Sequence, residues 1–223
     1  MPRELSLAEV FQLGYYWETK ILLTAVKLDV FSLLDGQGRS AADVAQKIDG
    51  DARALELLLN ALVAIRLLTK TGAVYANTTV ATTHLVKHGA QYVGHLLLLH
   101  DAEWGNWGKL EEAIKTGRSP VTQHVFETDP ALGANVLSVL HRIGQQSGPD
   151  LARRLALGEA KTMLDLGGGA GTNAIAFCQV YPALSATVFD LATTLPLTER
   201  TIKDAGLDGR IALKAGDFNR DAL

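Results

Sequence analysis

The sequence is poor in cysteine and has no long apolar run, and both absences exclude classes of protein. In a chain of 223 residues the single cysteine, Cys178, cannot form an internal disulfide, which indicates a reducing compartment. Because Cys178 falls in an apolar segment that reads as a helix, we interpret it as a small buried hydrophobe, with a nucleophile as the alternative. The run of leucines at residues 96–99 is flanked by histidines and is too short to span a bilayer.

A strong net charge and metal-binding patterns are also absent. The formal net charge of −3 gives no general attraction to nucleic acid. No histidine pair has metal-ligand spacing with cysteine or acidic partners, so no metal site is predicted. His124 and His141 are acid–base candidates without a carboxylate partner at a recognisable spacing, which favours solvated or packing roles. With no secretory segment near the start of the chain, we expect a cytoplasmic protein that binds neither nucleic acid nor a membrane.

The most informative stretch of the chain is an apolar run followed by glycines. Residues 162–166 read as a strand, and residues 174–180 read as a helix. Between them lie Gly167, Gly168, Gly169, Ala170 and Gly171. A strand, a glycine turn and a helix open nucleotide-cofactor domains, because a side chain in the turn would hold the ligand off the backbone and some turn positions need a positive φ. The alternative is that the glycines form only a flexible turn.

Two further strands end in residues that suit a nucleoside. Residues 186–190 end in Asp190, whose carboxylate can accept hydrogen bonds from both hydroxyls of a ribose. Residues 211–216 lead into Asp217, which can bond an adenine amino group, and Phe218, which can pack on the ring. Three successive strand ends with this chemistry predict a nucleoside site at one edge of a sheet.

The turn itself favours one cofactor over another. The dinucleotide fingerprint needs a third glycine at the position that Thr172 occupies here. Asp165, just before the turn, is unfavourable beside a pyrophosphate but suits the ammonium and sulfonium of S-adenosylmethionine. We therefore predict S-adenosylmethionine, and an NAD-dependent oxidoreductase is the alternative. Asp165 is expected to orient the glycine loop, with direct contact to the ammonium group as a second interpretation.

These motifs resemble those of a known family. Residues 164–171 are similar to the first motif of S-adenosylmethionine-dependent O-methyltransferases of the plant caffeate type and of the bacterial type that methylates phenolic or polyketide hydroxyls. Residues 189–191 and 216–218 match the second and third motifs. The chain departs from the family at Ala192, where proline is frequent, and at Asn219, where an aromatic residue is usual.

The resemblance implies both a reaction and a set of contacts. It implies transfer of a methyl group to a hydroxyl of a small aromatic or polyketide-like molecule. The implied cofactor contacts are Asp165, Gly167, Gly168, Gly169, Gly171, Asp190, Leu191, Asp217 and Phe218. The family's general-base histidine has no matching position in this sequence, so no catalytic base is named. A non-catalytic dimeric module that binds small molecules is a further alternative.

The first 90 residues predict a separate domain, and a hydrophobic content of 48% is enough for more than one core. Helical spacing over residues 6–34, a capping box at 40–43, a helix over 52–68 and a hairpin turning at Gly72 predict a winged-helix domain that is all-helical apart from its wing. Asp51 is a suitable N-cap for the 52–68 helix.

The winged-helix pattern raises the hypothesis of DNA binding. The helix in the recognition position offers only Arg53 and Arg66 among leucines, which is typical of a buried helix, so we disfavour this hypothesis. The resemblance implies dimerisation through this domain instead. The first helix is apolar around much of its circumference and needs cover, either from a second subunit or from its own.

Residues 91–157 predict a helical connector, in which residues 148–150 close the helical pattern and residues 151–157 lead into the next domain. The segment with Trp104 and Trp107, which leads to residues 116–118, resembles the acceptor-pocket wall of the family. Trp104 and Trp107 share a helical face and are predicted as substrate-binding residues, although a role in the core is the more common one for such a pair. Phe126 and the helix that contains Leu137 continue the wall.

Residues 158–223 then supply a partial Rossmann-like class I methyltransferase domain of three strands. The sheet that it resembles has seven strands, with the first strand in the centre. The first strand here is therefore expected to keep an unpaired apolar edge, which stable proteins avoid. We expect either that the sequence is a fragment or that another chain supplies the remaining strands.

Overall fold

The structure, a computed structural model, describes residues 3–121 and 125–221. They form two compact units, which divide between Pro120 and Val121. No helix within the described ranges is both long and apolar enough to cross a membrane.

The N-terminal unit is helical with a small antiparallel sheet. The strands β1 (Arg39–Ser40), β2 (Leu68–Thr71) and β3 (Val74–Asn77) lie in the order β1-β3-β2. The helices are α1 (Leu7–Gln12), α2 (Tyr16–Lys27), α3 (Val30–Leu33), α4 (Ala41–Lys47), α5 (Ala52–Ala64), α6 (Thr79–Leu85), α7 (Gly94–Ala102), α8 (Trp104–Trp107) and α9 (Leu110–Thr116).

Most elements of the predicted winged helix are confirmed. Ser40 and Asp43 form the predicted capping box of α4, and the side chain of Asp51 accepts a hydrogen bond from the backbone of α5. β2 and β3 form the hairpin, with Gly72 at a φ of 59° in its turn. The sequence did not predict the short β1, and α5 ends before Arg66, which has a φ of 64°.

The helical spacing over residues 6–34 predicts a single helix, and that prediction is wrong. The structure has three helices there, α1, α2 and α3. Gly14 lies in the first break, where glycine gives the helix little support. At the second break Asp29 has a φ of 55°, and its carboxylate accepts a hydrogen bond from the hydroxyl of Ser32 at 2.6 Å. The apolar spacing continues across both breaks, so the spacing alone did not show them.

The core of the N-terminal unit lies between these helices and the hairpin. Fully buried side chains from α3, α5 and β3 meet there, among them Phe31, Leu59, Leu62 and Tyr75. In contrast, many apolar side chains of α1 and the start of α2 are exposed: Leu7, Val10, Phe11, Tyr16 and Trp17.

An ion-pair cluster joins α2 to α7. The carboxylate of Asp101 lies 2.7 Å from the ammonium of Lys20 and 2.8 Å from that of Lys27. These hydrogen bonds, with that from Lys20 the larger influence, hold the pKa of Asp101 below its usual value.

The C-terminal unit contains a parallel sheet with helices against it. Its strands β4 (Thr162–Leu166), β5 (Ser185–Asp190) and β6 (Ile211–Ala215) lie in the order β4-β5-β6. Its helices are α10 (Val125–Thr128), α11 (Pro130–Leu155), α12 (Thr172–Val180) and α13 (Leu195–Asp204). The predicted strands agree with these bounds to within one residue. In the described sheet β4 pairs only with β5, and the side chains of Leu164 and Leu166 are about half exposed.

The helical pattern does not close at residues 148–150 as expected, because α11 continues through Pro149 to Leu155. Two glycines let α11 pack closely against α12. A Cβ atom at Gly144 would lie 2.8 Å from Cγ2 of Thr172, and one at Gly148 would lie 2.8 Å from Cβ of Ala176. We attribute the continuity of the helix to this close packing, since a proline inside a helix is otherwise costly.

Cys178 is buried in the core of the C-terminal unit, which confirms its interpretation as a small hydrophobe. Its thiol donates to the carbonyl oxygen of Leu184 at 3.5 Å, and burial raises its pKa. A buried thiol with a raised pKa is a poor nucleophile.

Candidate functional site

The glycine loop joins β4 to α12 and has a backbone that only glycine adopts easily. Gly167, Gly169 and Gly171 have φ values of 65°, 56° and 73°. Side chains are strained in this left-handed region, so the three glycines are explained by conformation. The backbone N–H of Gly167 donates to the carbonyl of Phe189 at 2.8 Å, which fixes the start of the loop to β5.

Gly168 is needed for a different reason, which is space. A Cβ atom at this position would lie 2.8 Å from the carboxylate of Asp165 and 2.9 Å from Cγ1 of Val188. Each loop glycine that was predicted as a cofactor contact is therefore required by its conformation or by the space around it. Gly168 and Gly171, however, do not line the cavity described below.

Asp165 lies beneath the loop and contacts the next helix. Its carboxylate accepts a hydrogen bond from the backbone N–H of Ala174 in α12 at 3.2 Å. Burial raises the pKa of Asp165, the hydrogen bond from Ala174 lowers it, and the charge of Asp190 raises it further. This contact agrees with the interpretation that Asp165 orients the loop, and contact with a ligand ammonium group stays a prediction.

Asp190 at the end of β5 connects two neighbouring strand ends. One carboxylate oxygen accepts from the backbone N–H of Gly169 at 2.7 Å. The other accepts from the backbone N–H of Leu191 at the same distance of 2.7 Å. The carboxylate is thus held against the glycine loop, where the sequence predicted it to meet a ribose.

Asp217 and Phe218 follow β6 in a tight turn. The carboxylate of Asp217 accepts from the backbone N–H of Asn219 at 2.9 Å and lies 3.3 Å from Nε of Arg220. The ring of Phe218 is about half exposed, and its Cε1 atom would lie 3.6 Å from a Cβ atom at Gly167. The ring therefore lies beside the start of the glycine loop.

A cavity of about 570 Å³ lies where these three strand ends meet. Six of the predicted cofactor residues line it: Gly167, Gly169, Asp190, Leu191, Asp217 and Phe218. Phe126 and Leu137, which the sequence placed in a pocket wall, line it too. Residues that the sequence analysis missed complete the lining: Val121, Glu127, Thr194, Gly216, Asn219 and Arg220. Gly216 belongs to the third motif, and Asn219 and Arg220 directly follow it, so their position next to Asp217 and Phe218 was the available signal.

Trp104 and Trp107 belong to the N-terminal unit. Trp107 is 71% exposed and Trp104 is 38% exposed, so the alternative of a core role is wrong for both. The ammonium of Lys20 lies 4.6 Å from the ring centroid of Trp104. Their predicted role in substrate binding stays a prediction.

The two candidate histidines differ in what the structure shows. His141 in α11 has Nδ1 at 2.8 Å from the hydroxyl of Thr172, and burial lowers its pKa. This hydrogen bond joins α11 to the start of α12. His124 lies outside the described residues. Among the residues that are described, no group of three or more His, Cys, Asp or Glu side chains is arranged to hold a metal ion.

Comparisons with known families identify the class of protein. The family model described as the O-methyltransferase dimerisation domain matches residues 11–87, and the model described as the O-methyltransferase domain matches residues 107–223. The chain belongs to the O-methyltransferase family. The predicted resemblance and fold class, a helical dimerisation domain followed by a class I methyltransferase domain, are confirmed.

Individual proteins extend this result. The chain is 32% identical to the human probable bifunctional dTTP/UTP pyrophosphatase/methyltransferase protein, over 99% of this chain and 37% of that protein. It is 30% identical to the tetracenomycin polyketide synthesis 8-O-methyl transferase TcmO of Streptomyces glaucescens, over 93% of this chain and 63% of that protein. The chain therefore spans less than two thirds of the length of these relatives.

Solved structures share the fold. An O-methyltransferase family protein from Burkholderia thailandensis superposes with a TM-score of 0.79 at 26% identity, covering 96% of this chain and 65% of that one. The O-methyltransferase NcsB1 from neocarzinostatin biosynthesis, in complex with S-adenosylmethionine and 2-hydroxy-5-methyl naphthoic acid, gives a TM-score of 0.74 at 26% identity, covering 92% and 66% of the two chains.

Proposed function

We propose that this protein binds S-adenosylmethionine in the cavity at the ends of β4, β5 and β6 and transfers its methyl group to a hydroxyl of a small aromatic or polyketide-like molecule. The observation that carries the proposal is that residues of all three cofactor motifs line one cavity. Membership of the O-methyltransferase family supports the reaction. TcmO and NcsB1, whose names record methyl transfer to oxygen, support the acceptor class.

The cavity fits the cofactor in size and chemistry. A volume of about 570 Å³ lies within the range of about 300–1,000 Å³ that is usual for small-molecule sites. We assign the ribose hydroxyls to Asp190, the adenine amino group to Asp217 and the adenine ring to Phe218 and Leu191. Gly167 and Gly169 leave the backbone open to close approach, because beyond chain neighbours a Cβ atom would contact only Phe218 or Leu137 there.

The residues of this chain would contribute mainly by positioning. When bound, the cofactor supplies an electrophilic methyl group on a sulfonium. The glycine loop and Asp190 would fix the orientation of the nucleoside, and such alignment provides a large part of the acceleration of a displacement reaction. Phe126 and Leu137 present apolar surface to the cavity and would exclude water from it. Deprotonation of the acceptor hydroxyl is assigned to no residue of this chain.

The two alternative functions find no support in these comparisons, since the matched family and the relatives described above are methyltransferases. The acceptor atom is the finer question. Relatives named for transfer to other atoms include the N,N-dimethyltransferase OxyT of Streptomyces rimosus and the L-tyrosine C(3)-methyltransferase of Streptomyces lavendulae. The test must therefore include amines as well as hydroxyl compounds.

The test has a binding step and a turnover step. We expect calorimetry to show binding of S-adenosylhomocysteine and none of NAD, and we expect labelled methyl to move from S-adenosylmethionine to phenols. Binding of NAD alone would contradict the cofactor assignment. Methylation of amines but not of phenols would contradict the hydroxyl assignment, and tight cofactor binding with no transfer to any acceptor would contradict the enzyme.

We also propose that the protein forms a homodimer through the N-terminal domain. The match to a dimerisation domain supports this, as do the exposed apolar side chains of α1 and α2, which include Phe11 at 61% and Tyr16 at 65% exposure. We expect Phe11→Glu to shift the protein from dimer to monomer in analytical ultracentrifugation. The matched control is Leu57→Glu, at an exposed leucine of α5. A Phe11→Glu protein that stays dimeric would contradict this interface.

Further parts of the proposal concern organisation and location. We assign dimerisation to residues 1–90, a connector with part of the acceptor wall to 91–157, and cofactor binding to 158–223. Trp104 and Trp107 are assigned to the acceptor wall.

The single cysteine, buried and without a disulfide, supports a cytoplasmic location, which cell fractionation would test.

A further inference from the structure

Two threonines of α13 donate hydrogen bonds to carbonyl groups of the glycine loop, whereas Asp190 accepts one from an N–H of the same loop. Thr198 is fully buried, and its hydroxyl donates to the carbonyl oxygen of Gly169 at 2.6 Å. The hydroxyl of Thr201 donates to the carbonyl oxygen of Ala170, also at 2.6 Å. Two successive carbonyl groups of the loop thus each meet a hydroxyl from the same helix.

The geometry favours these loop carbonyls over the alternatives within α13. A hydroxyl has one hydrogen, and hydroxyl hydrogen bonds are best near 2.7 Å. The hydroxyl of Thr198 lies 3.3 Å from the carbonyl of Thr194, and that of Thr201 lies 2.9 Å or more from carbonyls of its own helix. In the described part of the chain, no backbone N–H donates to the carbonyl of Gly169 or Ala170. The threonines therefore satisfy acceptors that the backbone leaves open.

Gly169 is held at both of its backbone groups. Its N–H donates to the carboxylate of Asp190 at 2.7 Å, and its carbonyl accepts from Thr198. Because these two groups belong to one residue with no side chain, a shift of the carbonyl would also move the N–H that holds Asp190. The methyl group of Thr198 lies near a different residue, since a Cβ atom added at Gly171 would be 3.2 Å from its Cγ2. The hydroxyl and the methyl group of Thr198 can therefore be tested separately.

We propose that Thr198 and Thr201 are positioning residues for the cofactor, whose hydroxyls hold Gly169, Ala170 and through them Asp190 in the binding arrangement before the nucleoside arrives. Neither threonine lines the cofactor cavity, so both act through the loop. The proposal rests on the proposed function, because it assumes that this cavity takes the cofactor. A loop that is already ordered has less conformational freedom to lose on binding, which raises affinity.

The experiment crosses two substitutions at each position. Thr198→Val keeps the shape of the side chain and removes the hydroxyl, whereas Thr198→Ser keeps the hydroxyl and removes the methyl group. We expect Thr198→Val to weaken binding of S-adenosylhomocysteine about tenfold, the effect of one hydrogen bond, and Thr198→Ser to change it less than about threefold. We expect the same pattern at Thr201. In turnover, the valine variants should have a higher KM for S-adenosylmethionine. Their kcat and their KM for the acceptor should be nearly unchanged.

The matched control removes a hydroxyl that bonds only within its own helix. In α6 the hydroxyl of Thr83 donates to the carbonyl of Thr79 at 2.8 Å, so Thr83→Val should leave cofactor binding unchanged. If the unsubstituted protein binds no S-adenosylhomocysteine, the proposed function fails.

The remaining outcomes bear on the positioning role alone. If the unsubstituted protein binds and the valine variants bind as well, the positioning role is wrong. It is also wrong if the serine variants weaken binding as much as the valine variants, since the methyl groups would then be responsible. Should Thr198→Val fail to fold, the Thr201 pair gives the same test. If neither valine variant folds while both serine variants do, the hydroxyls serve the fold and the proposal is overturned.

Discussion

Both units cap helices with polar side chains, but the C-terminal unit also uses such side chains to hold the glycine loop. In the N-terminal unit, Ser6, Ser40 and Asp51 accept hydrogen bonds from the first turns of α1, α4 and α5. In the C-terminal unit Asp129 caps α11 in the same way, but Asp190 and Thr198 bond the backbone of the glycine loop. The first set stabilises helices, whereas the second set fixes the shape of a segment with no regular structure.

This difference separates two consequences of substitution. Loss of a helix cap or an ion pair in the N-terminal unit should lower the free energy of unfolding and leave cofactor affinity unchanged. Loss of a contact to the glycine loop should lower affinity first, because the loop is only one part of the C-terminal core.

The largest effect is expected at Asp190. Replacing it by alanine removes the carboxylate assigned to the ribose and frees the N–H of Gly169. Each of the two ribose hydroxyls would donate to this carboxylate, and a hydrogen bond to a charged group contributes about 1.5–3 kcal/mol. Asp190→Ala should therefore weaken binding of S-adenosylhomocysteine at least about 100-fold. Calorimetry measures this. Unchanged affinity in a folded Asp190→Ala protein would remove the basis of the cofactor assignment.

The next effect compares one substitution in both units. Gly148→Ala places a methyl group 2.8 Å from Cβ of Ala176, while Gly105→Ala in α8 meets open space. Alanine in a helix gains about 1 kcal/mol over glycine, and overpacking costs about 1–3 kcal/mol. Gly148→Ala should therefore be about 2 kcal/mol less stable than Gly105→Ala in urea unfolding. Equal stability of the two variants would show that α11 and α12 are not in close contact.

A smaller effect is expected from Asp101→Asn in the N-terminal unit. The carboxylate bonds Lys20 and Lys27, both partly exposed, so the loss at pH 7 should be about 1 kcal/mol. Because the pKa of Asp101 is lowered by folding, its contribution is present above the pKa of the unfolded chain and is lost as the pH falls through the folded value. The difference from the unsubstituted protein should thus shrink below about pH 4.

The control for Asp101 is Glu111→Gln, which breaks an exposed pair with Lys115 in α9 and should change stability little. Cofactor affinity should be unchanged in both variants. A loss of affinity in Asp101→Asn would contradict the separation between the two units.

The smallest effect is expected at Asp165, and it distinguishes the two interpretations of this residue. Asp165→Asn keeps an oxygen that can accept from Ala174 but removes the charge. Because burial raises the pKa of Asp165, the charged form costs stability above that pKa, so the variant should be no less stable at pH 7. If the residue only orients the loop, affinity should change less than about threefold. A fall of tenfold or more would indicate direct contact with the cofactor ammonium group.

Strand ends were predictable from the sequence, and the contacts around them were not. The apolar runs before Asp190 and Asp217 placed both residues at one edge of the sheet, because parallel strands end together. The roles of Thr198 and Thr201 were not predictable, since threonines on a helix resemble an ordinary polar face until the facing loop is known.

The predicted limits of two helices were wrong in opposite ways, because sequence spacing and local preference do not show tertiary contacts. The helical spacing over residues 6–34 continues across the breaks near Gly14 and Asp29, so it did not predict them. Residues 148–150 were expected to close a helical pattern, but α11 continues through Pro149. Local preference is a weak guide where tertiary contacts decide, as they do where Gly144 and Gly148 meet α12.

The burial of the single cysteine makes this chain well suited to site-specific labelling. With its thiol enclosed and bonded to Leu184, Cys178 should react slowly with maleimide while the protein is folded, and its reaction rate should report unfolding. A second cysteine introduced at an exposed position outside the proposed dimer interface, such as Leu57, would then be the fast-reacting thiol. A dye or spin label could be attached there without first removing the native residue.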